Sequence, residues 1–197
     1  MNALLESLVK ADEAATLWLN TLTGPWADGF WAVMSDVSFW FPFYAAFMVF
    51  ALVKLGWKKG LAVILSLIVT VVLADQGGNL VKAAVARLRP CYDVWMVNNG
   101  LRLPYGLNGE GPFGSFSSHA SNSFGFATVS YLGLKWNKPE GNFKLYGWGI
   151  YLWALCMSLS RIMMGAHYLG DITVGALVGV GIGLATAWAA SRLTAKG

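Results

Sequence analysis

Residues 172–191 read ITVGALVGVGIGLATAWAAS, twenty positions without a charge. A helix needs about 20 apolar residues to cross the hydrocarbon core of a bilayer, so this stretch reads as a membrane span. Asp171 stands before it and Arg192 after it. Within it Gly175, Gly179 and Gly183 recur at every fourth position, a small-residue stripe of the kind that lets two helix backbones approach closely in lipid.

Working outward from this span, four shorter apolar runs appear: Val37–Val53, Gly60–Ala74, a run that becomes apolar near Ser123 and ends at Leu134, and Leu145–Ser160. Each reaches spanning length by extending past a charged end, where Lys snorkels or a protein-facing charge is sheltered by neighbours. The expected fold is an all-α integral membrane protein, a helical bundle of about five transmembrane helices. Ahead of them, Leu4 to Leu22 mixes Leu5, Leu8, Leu17 and Leu19 with Glu6, Asp12 and Glu13. That pattern predicts an N-terminal amphipathic interfacial helix, ended by Gly24-Pro25. The same three acids argue against a cleavable signal peptide. No internal repeat or low-complexity tract is visible, so residues 1–197 are expected to form a single domain.

Composition agrees with a bilayer setting. Apolar residues make up 56% of the chain and charged residues 12%, where a soluble domain carries about a quarter charged. A disordered chain and a nucleic-acid partner are both excluded, since the first needs few apolar residues and the second a dense Lys/Arg surface. Cys91 follows a proline in a polar stretch and Cys156 sits in an apolar run, so no disulfide is expected. Trp26, Trp31, Trp40, Trp57, Trp136 and Trp148 read as interface belts.

Charge also orients the bundle. With five spans, Lys54, Lys58, Lys59, Lys135, Lys138, Lys144, Arg192 and Lys196 fall on one side against Glu140 alone. The positive-inside rule makes that side cytoplasmic, and the expected home is a bacterial cytoplasmic membrane. The opposite, outward side receives the one long connection, Pro90 to Ser118, rich in turn residues such as Asn98-Asn99-Gly100, Pro104, Asn108-Gly109 and Gly111-Pro112. A loop of this length in so small a membrane protein points to function.

Three segments on the outward side carry chemistry: Lys82-x6-Arg89-Pro90, then Phe116-Ser117-Ser118-His119, then Ser160-Arg161-x5-His167-x3-Asp171. Lys and Arg at a span end commonly anchor to headgroups, and a histidine before a helix is commonly a cap. Here, however, the only two histidines of the chain coincide with three cations, an Asp and several Ser on one face. Lys82 and Arg89, seven positions apart, are expected to project from nearly one face of a helix.

In order and spacing these segments resemble the signature of the type 2 phosphatidic acid phosphatase family of membrane lipid phosphatases, whose site is similar to that of the vanadium haloperoxidases. The resemblance runs from Lys82 to Asp171, with every spacing of the first and third segments kept. The middle segment departs from the family's P-S-G-H, since Phe116 stands for Pro and Ser118 for Gly. The resemblance implies hydrolysis of a terminal lipid phosphate or diphosphate through a phosphohistidine. Undecaprenyl diphosphate leads the substrates, followed by phosphatidylglycerophosphate, phosphatidic acid and lipid A.

The residues support the same chemistry on their own. Phosphoryl transfer spreads negative charge over three equatorial oxygens, so catalysis is mostly positioning and electrostatics. Lys82, Arg89 and Arg161 supply three cations, with Ser117 and Ser118 as further phosphate-binding groups. Neither a carboxylate cluster nor a metal-ligand spacing is present, and no cofactor or metal is expected. Asp171 lies one helical turn after His167 and can fix its tautomer, which makes His167 the nucleophile and His119 the general acid. Asp75 could orient Lys82. Two other readings remain open: a flippase or transporter that binds the lipid phosphate without cleaving it, and transfer of the phosphoryl group to another acceptor.

Overall fold

The computed structural model describes residues 3–106 and 111–194. Asn108-Gly109 of the long loop and Lys196 of the charge count lie outside the described residues. Among the described residues eight α-helices follow in order: α1 (Ala3–Thr21), α2 (Pro25–Ser35), α3 (Phe41–Leu55), α4 (Trp57–Val85), α5 (Val94–Asn98), α6 (Ser118–Asn137), α7 (Lys144–Met163) and α8 (Leu169–Thr194). Extended pairing among the described residues is limited to one antiparallel bridge, Leu88 to Phe113.

Five long helices form the bundle, as the sequence predicts. Helix α3 with its leading turn from Val37, helix α4 and helix α8 are each long and apolar enough to cross a membrane. Helices α6 and α7, 20 residues each, complete the set. Helix α6 reads as a short run in the sequence because it is rich in Ser, Asn and Gly, and the structure gives the reason. It is the central helix, packed on α8, α7, α4 and α3, and buried along most of its length. A helix facing protein rather than lipid has no need of an apolar surface.

The Gly175-Gly179-Gly183 stripe of α8 is where α6 seats. A Cβ at Gly175 would stand 2.6 Å from the Ser117 carbonyl oxygen, and one at Gly179 would overlap the Ser121 carbonyl. Side chains that add interhelical bonds flank this seam: Thr70 with Thr186 at 2.7 Å joins α4 to α8, and Thr128 with Tyr151 at 3.0 Å joins α6 to α7. On the opposite side Phe43, Tyr44 and Phe47 of α3 pack their rings against Phe126 of α6 and Trp153 of α7. Trp40 joins this cluster edge-on to Trp153, so its ring fills the bundle as well as its edge.

Helix α1 is amphipathic as expected, with its faces assigned in an instructive way. Leu4, Leu5, Leu8, Trp18 and Leu22 are exposed, whereas Thr16 and Asn20 are fully buried. Its polar stripe faces the protein and its apolar stripe faces outward.

One expectation fails. Lys82 and Arg89 do not share a helix face, because α4 ends at Val85 and Ala86 caps it in the left-handed region (φ 48°). Arg89 is extended (φ −70°, ψ 154°), the conformation that a following proline favours. The chain leaves the helix before Arg89, and what brings Arg89 inward is the loop, through Arg89 N–H to the Pro112 carbonyl (2.8 Å) and the bridge beside it.

Candidate active site

The three segments meet at one end of the bundle. The C-terminus of α7 supplies Arg161, the tight turn after it supplies His167, the start of α8 supplies Asp171, and the start of α6 supplies Ser117, Ser118 and His119. Gly165, at φ 69°, makes the turn that reverses the chain between α7 and α8. The Arg161 carbonyl accepts from both Ala166 N–H and His167 N–H, tying the cation to the histidine through backbone.

His167 is 1% exposed and held on both ring nitrogens. Nδ1 faces the Gly114 carbonyl at 2.8 Å and Asp171 Oδ2 at 3.2 Å. The Gly114 carbonyl can only accept, so Nδ1 carries the proton. Nε2 lies 2.9 Å from Arg89 Nη1, which only donates, so Nε2 carries the lone pair. The same Arg89 donates to the Ala166 carbonyl (3.0 Å) and, through Nε, to the Gly111 carbonyl (2.8 Å). Gly114 admits this packing because a Cβ there would stand 2.6 Å from Arg89 Cγ.

The second histidine sits in a looser setting. His119, half-buried, donates from Nε2 to the carbonyl of Ser35 at 3.2 Å. The Ser35 hydroxyl accepts from Nη1 of Arg161, a side chain 3% exposed. Ser35, the last residue of α2, therefore touches both the second histidine and the third cation. Sequence reading missed it, and a lone Ser in an aromatic stretch gives no signal by which to find it.

Lys82 Nζ donates to Ser118 Oγ at 3.2 Å. The Ser that replaces the family's Gly is thus a partner of the first cation. Phe116, which replaces the family's Pro, is 2% exposed and packs on α4 where Gly78 leaves room; a Cβ there would lie 2.6 Å from its ring. Ser117 is fully buried and its hydroxyl accepts from Ala120 N–H at 3.3 Å, the N-cap of α6. Ser160 bonds back to the Met157 carbonyl (2.6 Å), and Asp75 accepts from Asn122 (2.9 Å).

Arg87, two positions beyond the end of α4, also belongs here. Its Nη1 donates to Asp12 of α1 at 2.6 Å and lies 3.8 Å from Asp171 Oδ1, and its guanidinium covers the Tyr168 ring at 3.5 Å. Tyr168 donates its hydroxyl to Asp93 at 2.9 Å. Burial, with the bond to Asp93 and its charge added, pushes the Tyr168 phenol well above its ordinary range, so it remains a donor. Among the described residues no three His, Cys, Asp or Glu side chains cluster as metal ligands would.

The family model of the PAP2 superfamily matches residues 55–195. A lipid A 4'-phosphatase of Bacteroides thetaiotaomicron is 31% identical, over 98% of this chain and 83% of its own length. A lipid A 4'-phosphatase of Porphyromonas gingivalis is 27% identical, over 91% and 72%, respectively. Two crystal structures share the fold. LpxE of Aquifex aeolicus has a TM-score of 0.62 at 21% identity, covering 88% of this chain and 92% of that one. The PAP2-type phosphatidylglycerolphosphate phosphatase of Bacillus subtilis has a TM-score of 0.66 at 19% identity, covering 96% and 87%.

Proposed function

As a member of the PAP2 superfamily, the chain is a membrane phosphatase of lipid phosphates, and we propose that its substrate is lipid A, with the 4'-phosphate the first position to test. Relatives that cover most of this chain are named as lipid A phosphatases, the one at 31% identity as a 4'-phosphatase, which moves lipid A ahead of undecaprenyl diphosphate. The observation that carries the catalytic reading is the state of His167: proton on Nδ1, lone pair on Nε2, in contact with a buried arginine.

The reaction follows from that state. The phosphate enters between Lys82, Arg89 and Arg161, whose charges offset the negative charge of the transferring group. Arg89 exchanges its contact with Nε2 for a phosphate oxygen, which releases the lone pair for in-line attack on phosphorus. The P–O bond to the lipid breaks as the P–N bond forms, and His119 gives its Nε2 proton to the departing sugar oxygen in place of the Ser35 carbonyl. Asp171 stabilises the Nδ1–H of the ring as its positive charge develops. In the second half His119, now neutral at Nε2, takes a proton from water, whose oxygen attacks the phosphohistidine and frees inorganic phosphate. Ser118 and the backbone N–H groups at the start of α6 complete the cradle, and Ser117 acts by capping that helix. No metal enters any step. The site faces outward from the cytoplasmic membrane, since the Lys-rich loops gather at the other end.

Purified protein in detergent with a chelator, given lipid A, phosphatidylglycerophosphate, phosphatidic acid and undecaprenyl diphosphate, should release phosphate with the highest kcat/KM on lipid A. A higher value on another lipid overturns the substrate, and loss of activity in chelator overturns the metal-free chemistry. Binding without release would favour a transporter, and a newly phosphorylated lipid would favour transfer.

A further inference from the structure

Helix α1 lies outside residues 55–195, yet its inward stripe is spent on the turn that carries His167. Asp12, Thr16 and Asn20 follow at intervals of four and so share one helix face. Asn20 donates to the Ile162 carbonyl (2.9 Å) and the Met163 carbonyl (3.3 Å), at the C-terminus of α7. Thr16 accepts from Leu169 N–H (2.9 Å) and Asp12 Oδ1 from Gly170 N–H (2.7 Å), at the N-terminus of α8. Those are groups that a helix end leaves without an intrahelical partner. One helix thus caps both helices that flank the turn.

Asp12 does more than cap. Its other oxygen takes Nη1 of Arg87 at 2.6 Å, and that same nitrogen lies 3.8 Å from Asp171 Oδ1. Asp171 uses Oδ2 for His167 Nδ1 and for Tyr168 N–H at 3.1 Å. Arg87 is therefore shared unequally between two carboxylates, close on Asp12 and distant on Asp171. Without the charge of Asp12, the guanidinium, which also feels Glu13, is released to close the 3.8 Å gap to Asp171, and that pairing draws the carboxylate away from His167.

We infer that Asp12 and Arg87 are positioning residues of the catalytic site: Asp12 holds Arg87 at a distance from which it supports Asp171 without capturing it, and so keeps the Asp171 carboxylate on the Nδ1–H of His167. The inference rests on His167 being the nucleophile. It gives the N-terminal helix a catalytic purpose beyond seating in the interface.

Asp12→Asn keeps an oxygen for Gly170 N–H and removes the charge. Outer partners that orient a metal-bound histidine commonly matter by about 10–100-fold, and the orienting role is the same here. On p-nitrophenyl phosphate this variant should lower kcat about tenfold with KM unchanged within about twofold. Arg87→Lys should recover most of the kcat lost in Arg87→Met, and Asp12→Asn/Arg87→Met should be no slower than Arg87→Met alone, since both act through one contact. A second readout is independent of turnover. The chain has only two histidines, so 15N-histidine spectra, assigned with His119→Gln, report each ring separately. Both proteins should show His167 in the Nδ1–H form, held by Gly114 and Arg89, but the Nδ1 proton, shifted downfield by Asp171 in the wild type, should move upfield in Asp12→Asn, with His119 unchanged. Wild-type kcat with an unchanged His167 ring in Asp12→Asn overturns the inference, as does an effect confined to KM. If the wild type cleaves no phosphate ester, the phosphatase reading fails, and the ring spectra still decide what Asp12 does.

Discussion

The two histidines of this chain are held in opposite ways. His167 is buried, bonded at both ring nitrogens, and backed by Asp171, Gly114 and Arg89. His119 is half-buried and leans on the Ser35 carbonyl at the tip of α2. A nucleophile gains from being set before the substrate arrives, because geometry fixed in folding is not reorganised at reaction. A general acid has to exchange its resting partner for the leaving oxygen, and a 3.2 Å hydrogen bond from Nε2 to a carbonyl is easily exchanged. The contrast teaches that rigidity is distributed by chemical role: one side of the site is built to stay and the other to trade partners.

That contrast can be broken experimentally. His167→Ala should lose turnover by on the order of 10⁴-fold or more and form no covalent intermediate, read by phosphate release under single-turnover conditions. His119→Ala should lose about 10²–10⁴-fold on a lipid phosphate, yet still give a burst with p-nitrophenyl phosphate, whose leaving group needs no proton. The phosphoenzyme should then persist. Gly114→Ala pushes on Arg89, and displacing a catalytic group by about 1 Å costs about 10²-fold; kcat should fall with the thermal midpoint little changed. Ser35→Ala, which removes one bond to Arg161 and leaves the carbonyl for His119, should cost about tenfold or less, mainly in KM. An effect of Ser35→Ala rivalling that of His119→Ala would mean that the acid side is as fixed as the nucleophile side.

Much of this arrangement is legible in the sequence because its signals are local. The uncharged run of α8, its glycine stripe and the spacing Arg161-x5-His167-x3-Asp171 need only helix geometry to read. Helix α6 is harder, since its polar residues make sense only once α8 and α7 surround it. Arg89 is misread where a helix is extended through Ala86; the following proline was the available warning. Ser35 and Asp12 are invisible to spacing altogether. They reach the site from 84 and 155 positions before His119 and His167, and only tertiary packing brings them there. Arg87 joins them: once α4 stops at Val85, its side chain reaches Asp12 of α1.

The most direct test is to quench the enzyme in alkali during turnover, digest it, and locate the phosphoryl group by mass spectrometry. A phosphoryl group on the peptide carrying His167, stable in alkali, lost in acid, and increased in His119→Ala, is the expected result. A phosphoryl group on any other residue, or steady turnover with no phosphoryl enzyme in His119→Ala, would contradict the assignment of His167 as the nucleophile.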